Sequence, residues 1–128
     1  MQKQHGQKNI MIVIGASLMA SGFASYVVSE NLSNDGHFAQ CLSDRGLTLY
    51  GASWCPHCQQ QREMFGASQK YLNYVECSSP DGKSQTATCQ IKNINTYPTW
   101  ELPDGTRLIG TQSLTKLSEV SGCSLSGS

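Results

Sequence analysis

The sequence predicts a mixed α/β domain, and three observations predict it. Short apolar runs bounded by turn residues read as strands, a Pro-Asp-Gly turn joins two of them into a hairpin, and helix start and stop signals fall between and after them. In chain order, Phe38 to Asp44 carries apolar residues at 38, 39, 41 and 42, which suits a short helix ended by Arg45-Gly46. Leu47 to Tyr50 is a short strand. Pro56 fits the first turn of a second helix, expected to run to Phe65 with Gly66 as its stop. The run Gln59 to Gln61 within it reads as exposed helix surface. Tyr74 to Glu76 is a second strand. Thr99 to Leu102 and Thr106 to Ile109, joined by Pro103-Asp104-Gly105, form a hairpin, antiparallel because its loop is short. The last helix starts near Ser113, buries Leu114, Leu117 and Val120, and ends at Gly122. The expected product is a central mixed sheet of about four short strands flanked by helices.

Composition narrows the function. The 128 residues carry nine basic and nine acidic side chains with no basic stripe, so the electrostatic footprint of a nucleic-acid binder is absent. The apolar residues are unevenly spread: 14 of the 19 from Ile10 to Val28 are apolar, and the 21 residues between Lys8 and Glu30 are uncharged. As a helix, Ile10 to Val28 covers roughly 28 Å, close to the hydrocarbon thickness of a bilayer. Lys3 and Lys8 precede it and Glu30 and Asp35 follow, so the positive-inside bias puts the rest of the chain across the membrane. Two readings of residues 1–29 stay open, a retained signal anchor and a cleaved signal peptide with small residues around Gly22-Phe23-Ala24. Small-residue ridges at Ala16, Ala20, Ala24 and Ser17, Ser21, Ser25 favour the anchor. Both readings export the domain to an oxidising compartment, anchored or soluble there. Residues 30–37 read as a polar linker, 38–123 as the domain and 124–128 as a flexible tail.

The chemistry centres on Trp54-Cys55-Pro56-His57-Cys58, where a strand gives way to a helix. Two thiols spaced i, i+3 at a helix start can close a small disulfide ring. The first of them faces unpaired backbone N–H groups and the positive end of the helix dipole, which favour thiolate. Thiolate is the nucleophile of disulfide exchange, so Cys55 is the expected attacking sulfur and Cys58 the resolving one. His57 can donate a hydrogen bond to the Cys55 sulfur or, protonated, add positive charge beside it. A stabilised thiolate stabilises the reduced form and makes the pair a better oxidant.

This pentapeptide after a strand, with Tyr97-Pro98-Thr99 some 40 residues later, resembles the thioredoxin fold, in which a cis-proline loop opposes the dithiol. It resembles more specifically the DsbA-like and protein-disulfide-isomerase-like domain associated with bacterial vitamin K epoxide reductase homologues. The residues that carry the likeness are Tyr50-Gly51-Ala52, Gln61, Phe65-Gly66, Tyr74-Val75-Glu76-Cys77, Cys89 and Tyr97-Pro98-Thr99-Trp100, so it covers nearly all of Phe38 to Gly122. The resemblance implies an exported thiol-disulfide oxidoreductase, in a bacterial periplasm or a thylakoid lumen, that oxidises cysteines of secreted proteins. A membrane quinone reductase of the vitamin K epoxide reductase kind would reoxidise it, expected on another chain because that enzyme's helical bundle is missing here. It implies no cofactor beyond the redox-active disulfide, quinone entering only through the partner, and a monomer.

The resemblance also implies that Cys77 pairs with Cys89. Their 11 intervening residues are polar and turn-rich, so the loop needs a clamp, worth roughly 3 kcal/mol for a loop of this size. Parity then leaves Cys41 and Cys123 for each other, tying the first helix to the end of the last, with free or intermolecular thiols as the alternative. A loop proline is ordinarily trans; the resemblance makes Pro98 cis, exposing the backbone of Tyr97 beside Cys55 for strand-like pairing with a substrate segment. Trp54, Pro56 and Tyr97 are the expected substrate-binding residues, and Trp100, inside a strand, the expected packing one. Position 49 is Leu where reducing thioredoxins usually carry a buried acid, which fits an oxidant. Zinc is disfavoured, since Cys77 and Cys89 stand too far apart to complete a ribbon with Cys55 and Cys58, and no metal is expected. Covalent haem fails because Gln59, not His, follows Cys58. Two other functions stay open: a membrane-tethered reductant for a dedicated target, and an anchored chaperone or assembly module without redox activity.

Overall fold

A computed structural model describes residues 36–125 of the chain. The expected anchor or signal segment at 1–29, most of the linker at 30–37 and the last three residues of the tail at 124–128 lie outside the described residues. Among the described residues no helix is long and apolar enough to cross a membrane.

The first helix, α1, covers the described residues 36–44 and takes in Gly36 and His37, the end of the expected linker. Then follow β1 (Thr48–Gly51), α2 (Pro56–Glu63), a 3-10 helix (Gly66–Tyr71), β2 (Tyr74–Glu76), α3 (Ala87–Ile91), β3 (Thr99–Glu101), β4 (Arg107–Ile109) and α4 (Leu114–Ser121). The four strands form one sheet in the order β2-β1-β3-β4. β1 and β2 run parallel, with Tyr50 opposite Val75, whereas β1 with β3 and β3 with β4 run antiparallel. The mixed sheet with its helices fits a thioredoxin-like fold.

The alternation of the strands decides what lies on each face. Leu49 stands opposite both Tyr74 and Trp100, and Trp100 opposite Leu108, so these four share a face. They pack with Phe38 and Leu42 of α1, Phe65, Leu72 and Leu117 of α4 in the main core. Tyr50 and Val75, on the other face, pack on Cys77, Cys89 and Ile94. Two disulfides close this frame: Cys41 with Cys123, tying α1 to the residue after α4, and Cys77 with Cys89, across the segment that covers the second face.

Caps fix the last helix as expected. Ser113 Oγ accepts the Lys116 N–H, and Gly122 ends α4 in the left-handed conformation (φ 74°) that glycine adopts without Cβ strain. Leu117 is buried and Leu114 and Val120 are half-buried.

Several boundaries differ from expectation. β1 is shifted one residue, to Thr48–Gly51, because Gly51 pairs with Glu76. α2 stops at Glu63, two residues early. Phe65 turns instead into the core, where it stacks on Phe38 with ring centroids 5.9 Å apart. Gly66, with φ 54°, does not end helical structure but redirects it into the 3-10 turn. α3, held by Cys89, was not expected.

Candidate active site

The reactive pentapeptide sits at the C-terminal end of β1, where the chain leaves the sheet for α2. Cys55 occupies the N-cap position of α2 in extended conformation, and Pro56 takes the first helical position, where a missing N–H costs nothing. The first turn holds no acidic side chain to neutralise the positive end of the helix. Cys55 and Cys58 are both free thiols. They differ in access: Cys55 keeps 7% of its surface, while Cys58, one turn into the helix, keeps none. Cys55 is thus the sulfur a partner thiol could reach.

Opposite lies the Tyr97–Pro98 bond, which is cis. The Tyr97 carbonyl accepts from Cys55 Sγ at 3.8 Å, so the loop backbone passes directly beside this sulfur. Trp54 is 57% exposed and meets Tyr97 edge to face, with ring centroids 6.2 Å apart. Both aromatic residues are held by the segment that the Cys77–Cys89 disulfide clamps. Trp54 Nε1 donates to Ser78 Oγ at 3.0 Å, and Gln85 Nε2 donates to Tyr97 Oη at 2.7 Å. His57 is exposed; its carbonyl accepts from Thr111 Oγ1 at 3.4 Å, and its imidazole makes no hydrogen bond among the described residues.

The structure therefore gathers Trp54, Cys55, Pro56, His57, Cys58, Tyr97 and Pro98 at one end of the sheet, past the end of β1 and before the start of β3, with Cys77 and Cys89 in the cluster on which Tyr97 packs. Cys41 and Cys123 lie apart from it, in the main core. Among the described residues no cluster of three His, Cys, Asp or Glu side chains could hold a metal ion.

Burial first of all, then a hydrogen bond to Cys55 and the charge on that sulfur, push the Cys58 thiol up to about 12. The Ala52 backbone N–H and the Arg62 charge pull the other way. The two sulfurs are thus unequal, one at the mouth of the site and one that keeps its proton.

Three residues without an expected role complete the site. Gln61, expected on an exposed helix surface, is fully buried because it faces the sheet three residues after Cys58. Its Oε1 accepts from Trp100 Nε1 at 3.1 Å and Gln112 N at 2.6 Å, and its Nε2 donates to the Gln112 carbonyl at 3.1 Å. It fastens α2 to β3 and to the strand-to-helix loop. Tyr74 and Glu76 are the other two: Tyr74 Oη donates to Glu76 Oε2 at 2.8 Å, and Glu76 Oε1 accepts the N–H groups of Ser53 and Ser78 at 3.0 and 2.9 Å. The period of two along β2 already places 74 and 76 on one face, which is the sequence signal for their meeting.

No family model matches the chain. Over 92 residues it is 42% identical to a curated protein, thiol-disulfide oxidoreductase LTO1 of Arabidopsis thaliana. The match takes in 68% of this chain and 24% of that protein, so the chain spans about a quarter of its relative's length.

Proposed function

We propose that the domain is a thiol-disulfide oxidoreductase that oxidises cysteines of exported proteins through a Cys55–Cys58 disulfide. The observation that carries this is the placement of Cys55, at the N-cap of α2 and against the Tyr97 carbonyl of the cis-proline loop, with Cys58 buried one turn behind. The name of the Arabidopsis relative supports the same chemistry.

In the forward reaction a substrate thiolate attacks Cys55 Sγ, the Cys55–Cys58 bond breaks, and Cys58 leaves and takes up a proton. A second substrate thiolate then attacks the substrate sulfur of the mixed disulfide. Cys55 leaves as thiolate, favoured by the end of α2 and by His57 two residues on, and two electrons have passed to the domain. Trp54, Pro56 and Tyr97 form the rim on which an extended substrate segment lies. A membrane quinone reductase of the vitamin K epoxide reductase kind takes the electrons on, as the family resemblance implies. The N-terminal segment anchors the domain on the exported side of the membrane.

Replacing Cys58 with Ala removes the resolving sulfur. In cells, this variant should accumulate reducible mixed disulfides through Cys55 on non-reducing gels, and mass spectrometry of the adducts names substrates and reoxidising enzyme together. A gel without adducts contradicts exchange chemistry. Equilibration against glutathione tests direction: a potential near thioredoxin's, about −270 mV, contradicts the oxidant reading.

A further inference from the structure

Behind the dithiol, on the side away from substrate, the strand β1 presents no side chain at Gly51. A methyl group there would stand 3.0 Å from Cys58 Sγ, 3.0 Å from Tyr74 Cε2 and 3.2 Å from Tyr74 Oη. The missing side chain is what lets the buried thiol and the tyrosine hydroxyl share one small space. The hydroxyl donates its proton to Glu76 Oε2 at 2.8 Å, so the oxygen keeps its lone pairs for a second partner. Glu76 is half-buried and tied to the Ser53 and Ser78 backbone, which fixes the carboxylate between the interior and the surface. The Arg62 guanidinium lies over the Tyr74 ring, 5.0 Å from its centroid, and its buried Nε has no hydrogen-bond partner among the described residues.

From this arrangement we propose that Tyr74 and Glu76 form a proton path for Cys58, carrying off its thiol proton as the Cys55–Cys58 disulfide closes. The proposal rests on the oxidoreductase reading above. When Cys55 is joined to a partner's cysteine in a mixed disulfide, Cys58 must attack Cys55 Sγ, and it is then still a thiol. Its proton moves to Tyr74 Oη while the hydroxyl proton moves to the Glu76 carboxylate. The Cys58 sulfur bonds to Cys55, the bond from Cys55 to the partner sulfur breaks, and the partner leaves as thiolate with the bonding electron pair. The domain's two thiols are oxidised, the partner's disulfide supplies the oxidising equivalents, and Glu76 returns the proton to solvent. In the reverse step the same path hands a proton to Cys58 as it leaves.

The groups that face Cys58 define the pH behaviour. They are Cys55 and Arg62 along its own helix and Tyr74 behind it on β2, with Glu76 reached through the Tyr74 hydroxyl; between them the chain at Gly51 and Ala52 offers no titratable group. Since burial pushes the thiol well above neutral, few molecules hold a Cys58 thiolate at neutral pH, and a positioned acceptor gains most there.

The test uses the full chain carrying glutathione on Cys55 and follows glutathione release as Cys58 closes the ring. Tyr74→Phe keeps the ring under Arg62 and removes the hydroxyl; Glu76→Gln keeps the contacts to Ser53 and Ser78. Each should slow closure about a hundredfold at neutral pH, the low end of what positioned proton transfer contributes, and the deficit should shrink as pH rises towards the thiol's own range. The rate at which Cys55 attacks oxidised glutathione, measured with each change in a Cys58→Ala background, should stay at the value of Cys58→Ala alone, which a misfolded site would not allow. Closure within about twofold of the unsubstituted chain in either variant overturns the path. If Cys58→Ala alone forms no Cys55 adduct, the oxidoreductase reading falls, and the path with it. A normal adduct with unchanged closure removes only the path.

Discussion

Replacing Gln61 with Leu removes the side chain that fastens α2, and with it the dithiol, to the sheet. Leu fills a similar volume, so the cost lies in the partners left behind. Trp100 has no exposed surface, and its indole N–H, now bonded to Gln61 Oε1 at 3.1 Å, would face no acceptor and no water. A buried donor stranded in this way costs about 1–3 kcal/mol. Gln112, whose N–H and carbonyl both bond Gln61, is half-exposed, so water recovers part of that loss and the total comes to about 2–4 kcal/mol. In a domain of this size each kcal/mol moves the melting temperature by about 4–8 °C, so melting should fall by roughly 8–32 °C. Thermal and urea unfolding of Gln61→Leu, Trp100→Phe and the pair measure this directly. Trp100→Phe takes the orphaned donor away, so the double variant should be more stable than the sum of the singles by about 1–2 kcal/mol. A Gln61→Leu loss below about 1 kcal/mol, or strict additivity, refutes the assigned role.

The two disulfides should contribute unequally. Opening Cys41–Cys123, which spans 82 residues, should cost about 4.5 kcal/mol on the loop-closure model, and opening Cys77–Cys89, which spans 12, about 3 kcal/mol. Urea unfolding of the paired Cys→Ala variants checks the order. The Cys77→Ala/Cys89→Ala variant should also weaken the hold of Ser78 and Gln85 on Trp54 and Tyr97, read as a red shift and quenching of Trp54 emission; an unchanged spectrum contradicts that link. The reduced domain should lose stability with rising pH. Its Cys58 keeps a proton up to about 12 that the unfolded chain sheds above 9.0, so stability present below pH 9.0 drains away towards 12. Tyr74, pushed up by burial and then by its bond to Glu76, adds to the loss only above 10.0. Cys58→Ser should flatten the first part of this decline in urea midpoints against pH, and a wild-type profile already flat there contradicts the buried-thiol assignment.

The parts of the fold announced by strong local chemistry were legible in the sequence. Ser113 and Gly122 bracket α4 because a hydroxyl cap and a left-handed glycine are each set by local backbone needs, and Pro103-Asp104-Gly105 marks the hairpin for the same reason. The dithiol could be placed at a helix start from Pro56 alone. What escaped was whatever depends on distant partners. The 3-10 turn Gly66–Tyr71 and α3 have no apolar period to announce them; each buries a single residue, Ser68 in one and Cys89 in the other. Gly66 is a stop signal locally, yet its positive φ serves here to turn the chain from one helical piece into the next. Gln61 looked like surface because a run of three glutamines is polar throughout, and only Trp100, 39 residues further on, makes one of them a core residue. Leu49 pointed to a missing acid at its own position. The structure places a half-buried carboxylate on the neighbouring strand instead, Glu76, bonded to the Tyr74 hydroxyl, where a search along β1 would not find it.

On the function proposed above, Cys55 and Cys58, and no other pair, exchange a disulfide with protein thiols. This exchange is tested most directly by mixing the oxidised full chain with a reduced, unfolded protein and mapping every cysteine by mass spectrometry after acid quench and alkylation. Cys55 and Cys58 should become alkylated as the added protein gains a disulfide, while Cys41–Cys123 and Cys77–Cys89 stay closed. Retention of the Cys55–Cys58 bond, or opening of either other pair in its place, would contradict that function.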